Sequence, residues 1–204
     1  MGAENELIER VKLICGDQHV MTDPALLSTY RSDGIRRDCP LPAAVVLPGD
    51  ATEVASVVRA CADTDLPYAV RGAGTSESGG ALPPEGGLLI VLTRMRQILS
   101  VDLDDDEITV QPGATTDAVS RAVAPTHSFL SDGVSTVGGA VAEGTVTDQL
   151  TAMQLVAADG TLVRVSTREP GYDVCSAFHG SRGTRGIAVA LTLQLERVGQ
   201  AIGG

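Results

Sequence analysis

Residues 70–80 read Val-Arg-Gly-Ala-Gly-Thr-Ser-Glu-Ser-Gly-Gly, and a short apolar run, Tyr68-Ala-Val, leads into them. Four glycines fall within the nine residues from Gly72 to Gly80. A residue without a Cβ reaches backbone angles closed to others and lets a ligand approach the main chain. Successive free N–H groups in such a turn form a concave nest for an anion. Thr75, Ser76 and Ser78 add hydroxyl donors, and Arg71 adds a fixed positive charge at the mouth. Two common phosphate motifs fail here. The fingerprint G-x-G-x-x-G needs glycine at position 77, which is Glu77, and the P-loop needs lysine where Gly80 stands. An anion nest and a plain Gly/Ser surface loop both fit the stretch taken alone.

Upstream, Ala43–Leu47 is an apolar run bounded by Pro42 and Pro48, which predicts a buried strand. Asp50 and Glu53 have capping-box spacing, with Asp in the Ser/Thr position. Val54, Val57, Val58 and Cys61 then line one face of a helix to about Thr64. With Tyr68–Arg71 as the next strand, this is a βαβ unit with a right-handed crossover. The glycine stretch follows the carboxyl end of its second strand, where α/β sheets bind ligands. Nearer the start, Leu7, Ile8, Val11, Ile14 and Cys15 repeat at helical spacing within Glu4–Cys15. Asp23-Pro24 opens a shorter helix, with Asp23 as cap. Residues 31–41 are a polar connector ending in prolines.

Downstream, Leu88–Leu92 reads as a strand, Arg94–Leu99 as a connector and Val101–Asp106 as a solvated acidic turn rather than a metal site. Glu107–Gln111 alternates as a strand and stops at Pro112-Gly113, and Thr116 is expected to cap a helix to about Val123. A second glycine cluster, Gly133–Gly144, fits either a turn pressed closely against a ligand or another backbone, or a tight helix entry. Ala158-Asp-Gly160 between two β-rich runs, Leu150–Ala157 and Thr161–Ser166, predicts a hairpin. Tyr172–Phe178 reads as a short helix, and Gly180–Gly186 is a third glycine cluster with Arg182 and Arg185. Ile187–Leu195 is the last β run.

The chain has 204 residues, enough for one domain or two small lobes around one core. Aromatics are only 2% and Trp is absent, so the core must be built from Val, Leu, Ile and Ala. A net charge of −11 argues against nucleic acid or an anionic membrane as partner. Cys15, Cys39, Cys61 and Cys175 have no C-x-x-C spacing, so they read as free thiols, not a zinc or redox site. With no apolar run of spanning length and no visible leader, the expected compartment is cytoplasmic.

Taken together, these landmarks resemble the FAD-binding (PCMH-type) domain of the vanillyl-alcohol oxidase superfamily, in its glycolate oxidase and D-lactate dehydrogenase branch. The residues that carry the resemblance are Val46-Leu-Pro48, Arg71-Gly-Ala-Gly-Thr75 with Ser78-Gly-Gly80, and Gln111-Pro-Gly113. Thr136-Val-Gly-Gly139, Ala158-Asp-Gly160 and Gly180-Ser-Arg-Gly-Thr-Arg-Gly-Ile187 follow. They occur in the family's order from about Pro42 to Leu195. The resemblance implies an α+β, two-lobed fold: a small βαβ lobe and a larger lobe of mixed or antiparallel sheet with helices. Residues 1–41 would be a helical segment packed on an FAD-binding domain at 42–204, with lobes at about 42–95 and 96–204 and no cap domain.

By position, Arg71, Gly72, Ala73, Gly74, Thr75, Ser76, Ser78 and Gly79 would wrap the FAD pyrophosphate. Ser135, Thr136, Gly138 and Gly139 would run beside the pyrophosphate and ribityl chain, and Gly186 and Ile187 would lie near the adenosine end. Thr75 and Ser135 stand where some relatives attach the flavin through His and Cys, so the resemblance implies noncovalent FAD. Relatives carry a cap domain over the flavin, so a second chain or a homodimer partner is implied there, with a small-molecule substrate. The departures are a shortened 142–150 segment, Ala140 in place of Asn, Glu77 in the phosphate loop, and Arg182 and Arg185. A carboxylate beside a pyrophosphate costs on the order of 1 kcal/mol at an exposed position. These departures support an alternative reading, a non-redox binding protein or a cyclase or isomerase on the same fold; a regulatory module without turnover is a third. Among His19, His127 and His179, the last abuts the third glycine cluster, but no residue pattern names a catalytic group.

Overall fold

The computed structural model describes residues 2–32, 39–75, 81–82, 84–129, 135–146, 148–169, 173, 175, 178 and 185–198. The first half begins with helix α1 (Ala3–Cys15), strand β1 (Val20–Met21) and the short helix α2 (Pro24–Leu27), which runs into a 3-10 turn at Ser28–Tyr30. Asp23 caps α2, its side chain accepting from the Ala25 N–H at 2.7 Å. Then come β2 (Ala44–Val46), α3 (Ala51–Thr64), β3 (Tyr68–Arg71) and β4 (Leu88–Val91).

These strands form a sheet in the order β1-β2-β4-β3. β2 and β3 both run parallel to β4, which lies between them, and β1 pairs antiparallel at the edge. The strand–helix–strand unit read from the sequence is therefore split by a later strand. The physical reason is visible in β4: all four of its residues are buried, Leu88 and Ile90 on one face and Leu89 and Val91 on the other. An unbroken apolar strand belongs at the centre of a parallel sheet covered on both sides. Here α1 and α3 cover one face, and Leu27 of α2 packs on the other.

The second half builds an antiparallel sheet from β5 (Ile98–Asp102), β6 (Glu107–Val110), β8 (Leu150–Val156), β9 (Leu162–Ser166) and β10 (Ile187–Gln194), in the order β5-β6-β10-β8-β9. Helices α4 (Thr116–Val123) and α5 (Val137–Glu143) contribute Val119, Val123, Val137 and Val141 to a core with Ile108, Met153, Leu191 and Leu193. A two-stranded ribbon joins β7 (His127–Ser128) to β11 (Glu196–Arg197). The expected hairpin turns at 157–161, where Asp159 Oδ1 accepts from the Thr161 N–H at 2.8 Å.

Two sequence expectations differ. Residues expected as a connector and acidic turn include the strand β5, and Thr115, not Thr116, caps α4. β5 escaped notice because it is an edge strand with four of its five residues exposed, so no alternation marks it. The two halves share α3. Its buried face packs with Leu7 and Val11 of α1, and the same core includes Val156, Ile187 and Val189 of the second sheet. Arg59 on α3 donates to the Gly160 carbonyl at 3.1 Å, seating the hairpin on the helix.

Candidate functional site

The carboxyl ends of β2, β4 and β3 lie along one edge of the first sheet, because all three run parallel. At the β2 end, Arg94 Nη1 donates to the Leu47 carbonyl at 2.6 Å and lies 3.7 Å from Glu53 Oε2. Glu53 in turn accepts from the Gly49 N–H at 2.7 Å, while Asp50 Oδ1 accepts from the N–H groups of Thr52 and Glu53. The capping-box spacing thus made a real cap, with Glu53 reaching one residue further back than the motif requires.

The second half of the chain reaches this edge through the turn after β6. The Gly113 N–H donates to the Met95 carbonyl at 2.7 Å. From the same turn, the Ala114 and Pro112 carbonyls accept from Val137 and Gly138, both at 2.9 Å, and Thr115 bridges Thr136 in antiparallel register. The start of α5 is thereby pinned against the end of β4.

This arrangement brings the first two glycine clusters together. A Cβ built on Gly72 would lie 2.9 Å from Thr136 Oγ1. Thr136 is buried, at 5% exposure, and caps α5 by accepting from the Gly139 N–H at 3.4 Å. Gly74 has φ +76°, and a Cβ there would overlap the Arg71 guanidinium. Two residues of the first turn therefore have to be glycine, one for close approach and one for its backbone angle.

The two clusters offer a ligand different things. The N–H groups of Ala73, Gly74 and Thr75 have no main-chain acceptor among the described residues. Those of Val137, Gly138, Gly139 and Ala140 all donate within the protein. The first turn supplies donors, and the second supplies shape, with Ser135 exposed beside the buried Thr136. A helix entry forms at the second cluster, and Gly138 also presses closely on the Pro112 backbone.

Arg71, expected as a charge at the mouth, contacts the N-terminal segment. Its Nη1 donates to the Ser32 carbonyl at 2.8 Å and lies 3.4 Å from that of Tyr30, and its guanidinium carbon sits 5.6 Å from the Tyr30 ring centroid. Neither Tyr30 nor Arg94 was singled out from the sequence. Glu53 was, by its cap spacing, while Tyr30 carried no signal at all. The contacts of Gly186 and Ile187 run to β8. A Cβ on Gly186 would lie 2.9 Å from the Val156 carbonyl, and Ile187 pairs with Val156 and is buried in the core around α3. Ser76, Glu77, Ser78, Gly79, His179 and Arg182 lie outside the described residues.

The remaining reactive groups are engaged elsewhere. His127 is buried, with Nε2 2.8 Å from Asp106 Oδ1 and Nδ1 3.0 Å from Thr126 Oγ1. All four cysteines are free. Burial pushes the thiols of Cys15 and Cys61 up to about 12 and that of Cys175 to about 11, so they stay protonated and inert near neutral pH. Among the described residues, no group of three or more His, Cys, Asp or Glu is placed to hold a metal ion, and no helix is long and apolar enough to cross a membrane.

The residues present fit a dinucleotide diphosphate. A glycine-lined cradle, whose amides at 73–75 have no main-chain acceptor among the described residues, lies at the carboxyl edge of a parallel sheet, closed on one side by a capped helix start. Comparison with known proteins agrees. A family profile described as "FAD binding domain" matches residues 42–166. The glycolate oxidase subunit GlcD of Escherichia coli (strain K12) is 33% identical over 184 residues, covering 81% of this chain and 37% of that protein. GlcD of Bacillus subtilis (strain 168) is 30% identical over 206 residues, covering 92% and 44%. A probable mitochondrial D-lactate dehydrogenase of Danio rerio is 28% identical over 224 residues, covering 98% and 45%. The chain thus spans less than half the length of these relatives.

Among solved structures, 4-ethylphenol oxidase from Gulosibacter chungangensis superposes with a TM-score of 0.83 at 20% identity, over 95% of this chain and 42% of that one. p-Cresol methylhydroxylase does so with a TM-score of 0.79 at 18% identity, over 96% and 44%. These likenesses establish the two-lobed PCMH-type fold. Profile, fold and cradle converge, and the chain belongs to the FAD binding domain family.

Proposed function

We propose that this chain is the FAD-binding part of a flavin-dependent oxidoreductase that acts on a small 2-hydroxy acid. The observation that carries the reading is the approach of Gly72 to Thr136, which makes one cradle of two turns far apart in sequence. Bound there, FAD would supply the redox chemistry by accepting two electrons as the 2-hydroxy acid becomes a 2-oxo acid. The chain's own residues bind and orient. Gly72, Ala73, Gly74 and Thr75, with Ser76, Ser78 and Gly79, would hold the diphosphate. Ser135, Thr136, Gly138 and Gly139 would shape the path beyond it, and Gly186 and Ile187 would flank the adenosine. Thr75 and Ser135 offer no side chain that links covalently to a flavin, so the cofactor would be held noncovalently. The substrate-facing side would be covered by a second chain or a homodimer partner. Family membership favours this reading over a cyclase or isomerase on the same fold.

The test is direct. The purified protein is mixed with FAD and passed through gel filtration. A retained flavin absorbance band is expected, and acid precipitation should release all of the flavin into the supernatant. Bleaching by glycolate or D-lactate is expected when the covering partner is present. A protein that emerges colourless after saturation with FAD overturns the assignment.

A further inference from the structure

We propose that Arg71 is a positioning residue that braces the diphosphate turn from the N-terminal segment, rather than a charge presented to the ligand. The inference rests on the FAD reading above. Arg71 ends β3, and its side chain crosses to the 3-10 turn at Ser28–Tyr30. There it donates to the Ser32 carbonyl at 2.8 Å, lies 3.4 Å from the Tyr30 carbonyl, and sits over the Tyr30 ring at 5.6 Å. The guanidinium also meets the main chain at Gly74, where a Cβ would overlap it. One planar cation is therefore held between two carbonyls, an aromatic face and the turn's own backbone. Such a group orders the turn only through its shape. A guanidinium has a rigid fork of five donors and stacks on a ring, while a lysine ammonium is a point charge on a flexible stem. Cations within about 6 Å of a ring centroid are attracted to its face, which adds to the hold on the guanidinium.

The consequence is that the amides of Ala73, Gly74 and Thr75, which have no main-chain acceptor among the described residues, are held in place before any ligand arrives. Preorganised donors spare the ligand the cost of ordering the loop. The segment from α2 to Ser32 thereby takes part in cofactor affinity without touching the cofactor.

The experiment uses the whole chain without FAD and follows amide hydrogen exchange by mass spectrometry. Arg71→Lys and Tyr30→Leu should both speed exchange at residues 72–75 several-fold while leaving α3 unchanged; Tyr30→Phe, which keeps the ring, should match the wild type. In FAD titrations, Arg71→Lys should weaken binding about tenfold and Tyr30→Leu several-fold, with the salt dependence of the dissociation constant unaltered. Unchanged exchange in both variants overturns the brace. So does an Arg71→Lys protein that binds FAD as the wild type does, because a direct charge–phosphate contact would survive that exchange. If the wild type takes up no FAD, the functional reading falls, and the brace is decided by hydrogen exchange alone.

Discussion

At the scale of single residues, the site depends on what is missing from Gly72. Thr136 Oγ1 occupies the space that a methyl group there would need, and that oxygen is the cap of α5. Gly72→Ala should push the threonine off its cap. Losing a threonine cap costs about 1 kcal/mol, so the urea midpoint should fall by a corresponding amount. FAD affinity should fall further than stability does, because the same methyl group narrows the cradle. Urea titration and FAD titration on one preparation check both. The two glycines of the first turn were visible in the sequence as candidates for a nest, but their partners were not. Thr136 and Tyr30 lie far along the chain in opposite directions, and no local pattern links either to position 72 or 71.

At the scale of elements, the acidic turn between β5 and β6 shows how a stretch that reads as solvated becomes a joint. Asp106, in the left-handed region at φ +57°, accepts from Arg197 Nε at 2.6 Å and lies 2.8 Å from His127 Nε2. Its carbonyl accepts from the Leu195 N–H at 2.7 Å. The turn is thus tied to both strands of the β7–β11 ribbon. Hydrogen bonds from Arg197 first, and from His127 next, hold the Asp106 carboxyl below its ordinary value of 3.8. A carboxyl with a depressed folded-state value stabilises the fold fully above its unfolded value, and that contribution is lost as pH falls through the folded one. Asp106→Asn should therefore lower the urea midpoint at pH 7, and the gap to the wild type should close as the pH drops below the usual aspartate range. A gap that stays constant down to the lowest pH at which the wild type folds would show that the ionised carboxyl contributes nothing. β5, β7 and β11 were illegible in the sequence for a related reason. They are short or lie at an edge, and their pairing is dictated by the strands they meet, not by their own alternation.

At the scale of the whole molecule, the two lobes share a core through α3, and Ile187 is one of the residues that joins them. Ile187→Ala should cost about 3 kcal/mol, within the range for emptying a buried isoleucine site. Calorimetry should still show one transition at a lower temperature, since the core around α3 draws on residues of both lobes. Two resolved transitions would show that the lobes melt independently. Much of this fold could be read from the chain. The apolar runs, the caps at Asp23 and Asp50, the Asp-Gly hairpin and the glycine-rich turn are local patterns, and local patterns follow from backbone sterics and side-chain periodicity over a few residues. The order of strands in the first sheet could not be read this way, nor could the meeting of the two glycine clusters, nor the path of Arg71 back to Tyr30. Those are settled by which buried faces find each other when the chain closes on itself, and the contacts responsible join residues too distant in sequence for any window to hold both.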